Sequence, residues 1–232
     1  MSFGIESANI VGYQANELAE GNKVMGAAFV AVAGDAIDLT DIIVTGYNPE
    51  EGCEGVVDIQ TLDEFGRGGN QYFWYDVPGE LHGWLDASDN EAVKGALTLK
   101  PGEGLWINAP GSEYKLQTAG QVATSGIAVT LCAGSKMAVN NTPVSVDLTS
   151  ILISGYDPEE GCEGVVDIQT LDEFGRGGNQ YFWYDVPGEL YGWLDASDNE
   201  AEEGALIINP GEGLWVNAPS ADYMIEFPGV TL

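Results

Sequence analysis

Apolar and polar positions alternate with a period of two along most of this chain, and the alternation is cut every few residues by glycine, proline or paired acids. Val56 to Leu62 places Val57, Ile59 and Thr61 on one face and Asp58 and Gln60 on the other. Gln71 to Val77 is an aromatic strand, with Tyr72 and Trp74 on one side and Phe73 and Tyr75 on the other. Pro78-Gly79 suits the central pair of a type II turn, which returns the chain through Leu81 to Leu85. Asp86 to Glu91 then forms a polar tip.

Upstream, Asn9 to Tyr13 reads as a first strand, Lys23 to Val32 as a longer apolar one, and Gly34-Asp35 as a turn. Ile37 to Ile43 breaks the alternation: Asp38 can cap a single helical turn with Leu39, Ile42 and Ile43 packed inward. Asn48 to Gly52 is an acidic turn, and Gly66 to Asn70 a loop whose glycines allow positive φ. Ala96 to Leu99 and Leu105 to Ala109 are expected to pair across Pro101-Gly102, Glu113 to Gln117 to close the unit, and Thr118 to Gln121 to mark its boundary.

The whole pattern occurs twice. Pro49 to Leu81 recurs without change as Pro158 to Leu190, an identity of 33 residues at an offset of 109. The opening segments have diverged, and Gly21-Asn-Lys matches Gly134-Ser-Lys at an offset of 113. Two modules follow, residues 1–117 and 118–232, each large enough for its own core. Many short strands with frequent turn signals and no long amphipathic helix predict an all-β protein: two tandem β-sandwiches or partly open barrels packed against each other. Identity that includes surface positions exceeds what a core demands. It reflects either recent duplication or two copies of one working surface.

Charge narrows the partners. Seven Lys and Arg face 37 Asp and Glu, a formal net charge of −30. A nucleic acid needs a cationic face and finds none, and anionic membranes are disfavoured for the same reason. No run approaches the roughly 20 apolar residues of a membrane-spanning helix. Met1-Ser-Phe-Gly-Ile lacks the basic start and apolar stretch of a leader, so an extracellular setting implies a mature form. Ca²⁺, a hard cation suited to oxygen ligands, can offset the carboxylate repulsion.

Candidate chemistry is sparse. The three cysteines, Cys53, Cys132 and Cys162, show no CxxC spacing, which favours small buried residues over a zinc site and leaves a Cys53–Cys162 bridge or a bond between copies as alternatives. All six tryptophans lie in matching regions; Trp74, Trp84, Trp183 and Trp193 are core residues or else stacking faces for a sugar ring. Asp86, Asp89 and Glu91, with their mates Asp195, Asp198 and Glu200, are solvated tips or Ca²⁺ ligands, without the spacing of a calcium loop. Arg67 and Arg176, the only arginines, sit in glycine loops near acids and suit bidentate carboxylate pairing or anion capture. The lone histidine, His82, is Tyr191 in the second module, so duplicated machinery cannot depend on imidazole. With no nucleophile elbow and no phosphate loop, an enzyme is not expected.

The series S-A-N-I-V-G-Y, G-x-K-V-M, I-D-L-T-D-I, Y-F-W-Y, G-W-L-D and P-G-E-G-L-W resembles β-rich modules found in tandem in uncharacterised secreted or surface proteins of bacteria. The resemblance implies an extracellular location and assigns no activity. The expectation is a non-enzymatic protein that associates with itself in a surface layer, filament or matrix, by one module meeting the next copy's partner module head to tail. The alternative is a carbohydrate-binding adhesion protein with one aromatic platform per module.

Overall fold

A computed structural model describes residues 11–18, 20–26, 36–63, 68–122, 126–171 and 177–229. Module one contains strands β1 (Val11–Glu17), β2 (Gly21–Met25), β3 (Ile37–Asp38), β4 (Ile43–Thr45), β5 (Cys53–Leu62), β6 (Gly68–Val77), β7 (Leu81–Asp86), β8 (Thr98–Leu99), β9 (Leu105–Ala109) and β10 (Lys115–Gln121). Module two repeats the order with β11 (Ile127–Thr130), β12 (Gly134–Val139), β13 (Val146–Asp147), β14 (Leu152–Ser154), β15 (Cys162–Leu171), β16 (Gly177–Val186), β17 (Leu190–Asp195), β18 (Ile207–Ile208), β19 (Gly213–Ala218) and β20 (Met224–Phe227).

Each module is a sandwich. A five-stranded antiparallel sheet, β2-β9-β5-β6-β7, faces a three-stranded one, β1-β10-β4, and the pair β3-β8 covers one end. The second module has the same three sheets in the same order, β12-β19-β15-β16-β17, β11-β20-β14 and β13-β18. Val57, Ile59, Tyr72 and Trp74 of β5 and β6 point inward, as their alternation requires, and meet Val44 and Leu116 from the opposite sheet. The residues between β3 and β4 form a single 3₁₀ turn, Leu39–Asp41, which drives Leu39 and Ile42 into the same core. Its cap is Asp38, whose carboxylate accepts the Thr40 N–H at 3.0 Å and the distant Gly95 N–H at 2.6 Å. Asp147 does the same for Thr149 and Gly204. Burial raises the carboxyl pKa of both aspartates, but these hydrogen bonds outweigh it and hold each below the ordinary value.

A bulge at Gly55 shifts the β5–β6 register between Glu54 and Asp58. Gly55 has φ +67°, and the Tyr75 ring lies so close over it that an added Cβ would stand 2.7 Å from Cζ. Gly164 and Tyr184 repeat the arrangement. Glycine is needed here for both reasons, the positive φ and the ring above it.

Two expectations are corrected. Ala96 to Leu99 does not pair with Leu105 to Ala109: β8 pairs with β3, while β9 enters the large sheet between β2 and β5. Thr118 to Gln121 is no boundary either, because β10 runs on through it and pairs Gln121 with Val11. The junction between modules is therefore 122–126. The first strand is described over Val11–Glu17 and continues past Tyr13, and β2 ends at Met25; Asn9, Ile10 and residues 27–35, including the turn at Gly34-Asp35, lie outside the described residues.

The modules meet through reciprocal contacts. Lys23 pairs with Glu212 at 3.1 Å and Lys136 with Glu103 at 3.2 Å. The Gly26 N–H donates to the Gly211 carbonyl at 3.0 Å and the Val139 N–H to the Gly102 carbonyl at 2.8 Å. Val24 packs on Gly213, as Met137 packs on Gly104, where the missing side chains let the strands approach. Between these pairs Trp106 and Trp215 meet edge to face, with centroids 5.6 Å apart. The ion pairs, hydrogen bonds and glycine contacts each couple a residue near β2 or β12 to the Pro-Gly-Glu-Gly loop, or to the strand after it, in the other module, and the tryptophans join β9 to β19. The two halves are thus related as in an isologous dimer.

Acid is expected to loosen this joint. Burial raises the Glu212 pKa, but the Asn209 N–H and the Lys23 ammonium hold its carboxyl below the ordinary value. A depressed folded pKa contributes stability that is present above the unfolded value, near 4.3, and is lost as pH falls through the folded one. Urea midpoints should therefore drop as the pH is lowered below about 4, and Glu212→Gln should flatten the drop. An unchanged profile in that variant would remove Glu212 from the cause.

Candidate functional site

The tryptophans settle into the core. Trp74, Trp84 and Trp193 are each 2% exposed and Trp183 is 1% exposed. Trp84 Nε1 donates to the Ile42 carbonyl at 2.7 Å and Trp193 Nε1 to that of Ile151 at 2.8 Å. Trp74 and Trp183 donate to the hydroxyls of Tyr47 and Tyr156, which in turn donate to Asp76 and Asp185. An exposed aromatic platform for sugar at these four residues is corrected: all four rings turn inward and are at most 2% exposed. Trp183, Trp193 and Glu200 do converge on one hollow beside Tyr191, but its volume is about 140 Å³. Ligand pockets are of order 300 Å³ or more.

The acidic tips are turns that use their own carboxylates. Asp86 accepts the Ser88 and Asn90 N–H groups at 2.8 and 2.9 Å and the Asn90 side-chain amide on both oxygens. These bonds, the Asn90 N–H foremost, hold the Asp86 carboxyl below its ordinary pKa. Asp89 turns the chain at φ +60°, a conformation Asp tolerates better than most residues. Glu91 is exposed and bridges back to Leu85 through the backbone. Asp195, Asp198 and Glu200 reproduce all three roles. Among the described residues no three His, Cys, Asp or Glu side chains cluster as metal ligands. Arg67 and Arg176 lie outside the described residues.

Polar residues of β5, β6 and the tip after β7 line a groove with the edge of Tyr72. Gln60, Asn70, Gln71, Tyr72, Asp86 and Ser88 enclose about 400 Å³ between the β5–β6 end and the tip after β7. Each has an identical mate: Gln169, Asn179, Gln180, Tyr181, Asp195 and Ser197. Next to it on the outer sheet face, Asp58 accepts from Gln71 Nε2 and Asn108 Nδ2, both at 2.9 Å, and Phe73 and Tyr75 are half-buried. Only the repetition of these amides in both modules pointed to them, because an exposed Gln or Asn carries no signal of its own.

Two smaller clefts flank the joint. Leu62, Leu97, Leu99, Glu103, Lys136 and Met137 line one of about 280 Å³, which Cys132 also borders. Leu171, Leu206, Ile208, Glu212, Lys23 and Val24 line its counterpart of about 180 Å³. Each therefore has a lysine–glutamate pair in its wall, with leucines opposite.

Cys53 and Cys162 are buried free thiols in separate cores, so no bridge joins the modules. Burial pushes the pKa of both upward. Cys132 is half-buried and donates to the Ser135 carbonyl at 3.3 Å. A native thiol titration should therefore modify Cys132 first and reach the other two only after unfolding. Equal rates for all three would contradict this placement.

His82 bonds Asp76 at 3.0 Å and sets its ring against Trp74, a contact Tyr191 repeats on Trp183. It takes part in packing against Trp74. Among the described residues no helix is long and apolar enough to cross a membrane. No family model, curated protein or solved structure matches the chain.

Proposed function

We propose that the chain is a non-enzymatic structural protein of an extracellular surface layer, filament or matrix, in which each molecule presents the same surface twice. One observation carries this reading: apart from the far end of β5, where Leu62 packs at the joint, the repeated block lies away from it. Strand β6 of the block and β7 after it end the large sheet at the edge opposite β2, with β7 about 19 Å from β2 at ~4.8 Å per strand. The inter-module contacts come from β2, β9, β12 and β19 and the ends of β5 and β15. Apart from His82 and Tyr191, the edge strands are thus the same at the two outer ends, where the joint does not require it. A rigid unit with one surface at each end is a bivalent building block. With a net charge of −30, copies repel one another until counter-ions gather, which gives Ca²⁺ a supporting part. Light scattering and electron microscopy at millimolar Ca²⁺ test the reading; particles larger than the monomer are expected, and a strictly monomeric species throughout overturns it.

A second reading rests on the 400 Å³ groove. Paired amides beside a carboxylate offer donors and acceptors at once, the pattern that a neutral polyhydroxylated ligand such as a glycan requires. Calorimetric titration against neutral glycans would show two equivalent sites, lost in the Gln71→Ala/Gln180→Ala double variant. Silence across the panel removes this option.

A further inference from the structure

We infer that the face joining the two modules also fits a second copy of this chain, so that molecules associate by exchanging modules across it. The inference goes beyond the building-block reading and gives molecules a contact apart from their outer ends. Each bond at the joint occurs twice with the roles reversed: lysine 23 to glutamate 212 and lysine 136 to glutamate 103, Gly26 to Gly211 and Val139 to Gly102. Both faces carry the same elements, a lysine, a backbone donor, an apolar Val or Met, a Pro-Gly-Glu-Gly loop and a tryptophan. None of these contacts uses residues 122–126, the only covalent link. A module one from another molecule therefore meets module two with the same complementarity as its own.

Within one chain the two faces satisfy each other, so a closed molecule has no free face to extend from. Association at this surface therefore starts from an opened molecule. Opening one chain frees one face of each kind. Two opened chains close on each other as a dimer, and a longer series continues open-ended. The chain's own partner has the advantage of a high effective concentration, so exchange is slow and depends on protein concentration. Both ion pairs are about a third exposed or less at each end, and like charges there act directly on the joint.

The test uses two full-length variants. The first carries Lys23→Glu and Lys136→Glu, the second Glu103→Lys and Glu212→Lys. Within either variant both pairs become like-charged. Across the two, every pair is restored: module one of the first faces the lysine introduced at 212 and the native Lys136, and module two of the first finds the reverse. Each variant alone is expected to run at 24.6 kDa by light-scattering chromatography, and the equimolar mixture at twice that mass or more. Association in the mixture should be at least tenfold tighter than in either variant alone. A mixture that stays at the monomer mass overturns the inference, provided that both variants keep the far-ultraviolet spectrum of the native protein. A second measurement needs no substitution: natural and isotopically heavy protein are refolded together from urea at high concentration. Dimers of mixed mass support exchange, and monomers alone count against it. If the variants combine while the native protein never forms particles, exchange stands and the structural role falls. Particles in the native protein without any pairing of the variants place the assembly contact elsewhere.

Discussion

Trp193→Ala is expected to remove about 3–5 kcal/mol from module two. The indole is 2% exposed, packs edge to face on Trp183 at 5.2 Å and donates to the Ile151 carbonyl at the end of the 3₁₀ turn. Truncation leaves a cavity between β17 and that turn and strips a buried carbonyl of its donor. Trp84→Ala should cost the same in module one, because its surroundings are copied: 2% exposure, Trp74 at 5.2 Å and the Ile42 carbonyl. Urea unfolding followed by circular dichroism separates the two effects, since destabilising one half should split a single transition into two. Trp193→Phe keeps most of the ring and isolates the unpaired Ile151 carbonyl, at about 1–3 kcal/mol. A loss below about 1 kcal/mol for the alanine variant would show that this ring is not core.

Gly155→Ala should rival that loss for a different reason. Gly155 has φ +94°, and a Cβ there would stand 1.9 Å from the Asp222 carbonyl oxygen. Gly46 is its mate, with φ +96° and the Glu113 carbonyl oxygen at 1.8 Å. The obstacle is backbone, which cannot rotate aside as a side chain can, and it sits where β14 pairs with β20. The expected cost is about 3 kcal/mol or more, collision and strained dihedral together. Gly188→Ala is the control. Its φ is +81° with nothing within 4 Å of the added carbon, so only the dihedral penalty of about 1–2 kcal/mol remains. Thermal unfolding reads the difference at roughly 2–4 °C per kcal/mol for a chain of this size. Equal shifts for the two variants would show that the collision is relieved by local movement.

The outcomes for particular segments show what the chain's local chemistry can announce. Asp38 caps a helical turn because its short carboxylate reaches its own neighbour's N–H, a contact two residues long. Pro78-Gly79 closes as expected, with Gly79 at φ +81° and the Glu80 N–H on the Val77 carbonyl. The partner of β8 was not legible: Ala96 to Leu99 reads as a strand, while its pairing with β3 is set by the core that both cover. The inward face of β6 was equally hidden, because Tyr72 and Trp74 are no more apolar than Phe73 and Tyr75. Register against Ile59 decides between them, and register is a property of the sheet. Nothing in the sequence around Lys23 and Glu103 marks them as joint residues; their pairing with Glu212 and Lys136 of the other module makes them so.

Fusion of two matched halves into one chain has a genetic consequence. In a true homodimer any substitution appears at both symmetric positions, so neither site can change alone. Here a single codon alters one half and spares the other. Cys132 borders only the larger of the two clefts, and His82 stands opposite Tyr191 across the molecular dyad. The 280 Å³ and 180 Å³ hollows, laid out on one plan, are free to evolve toward different occupants.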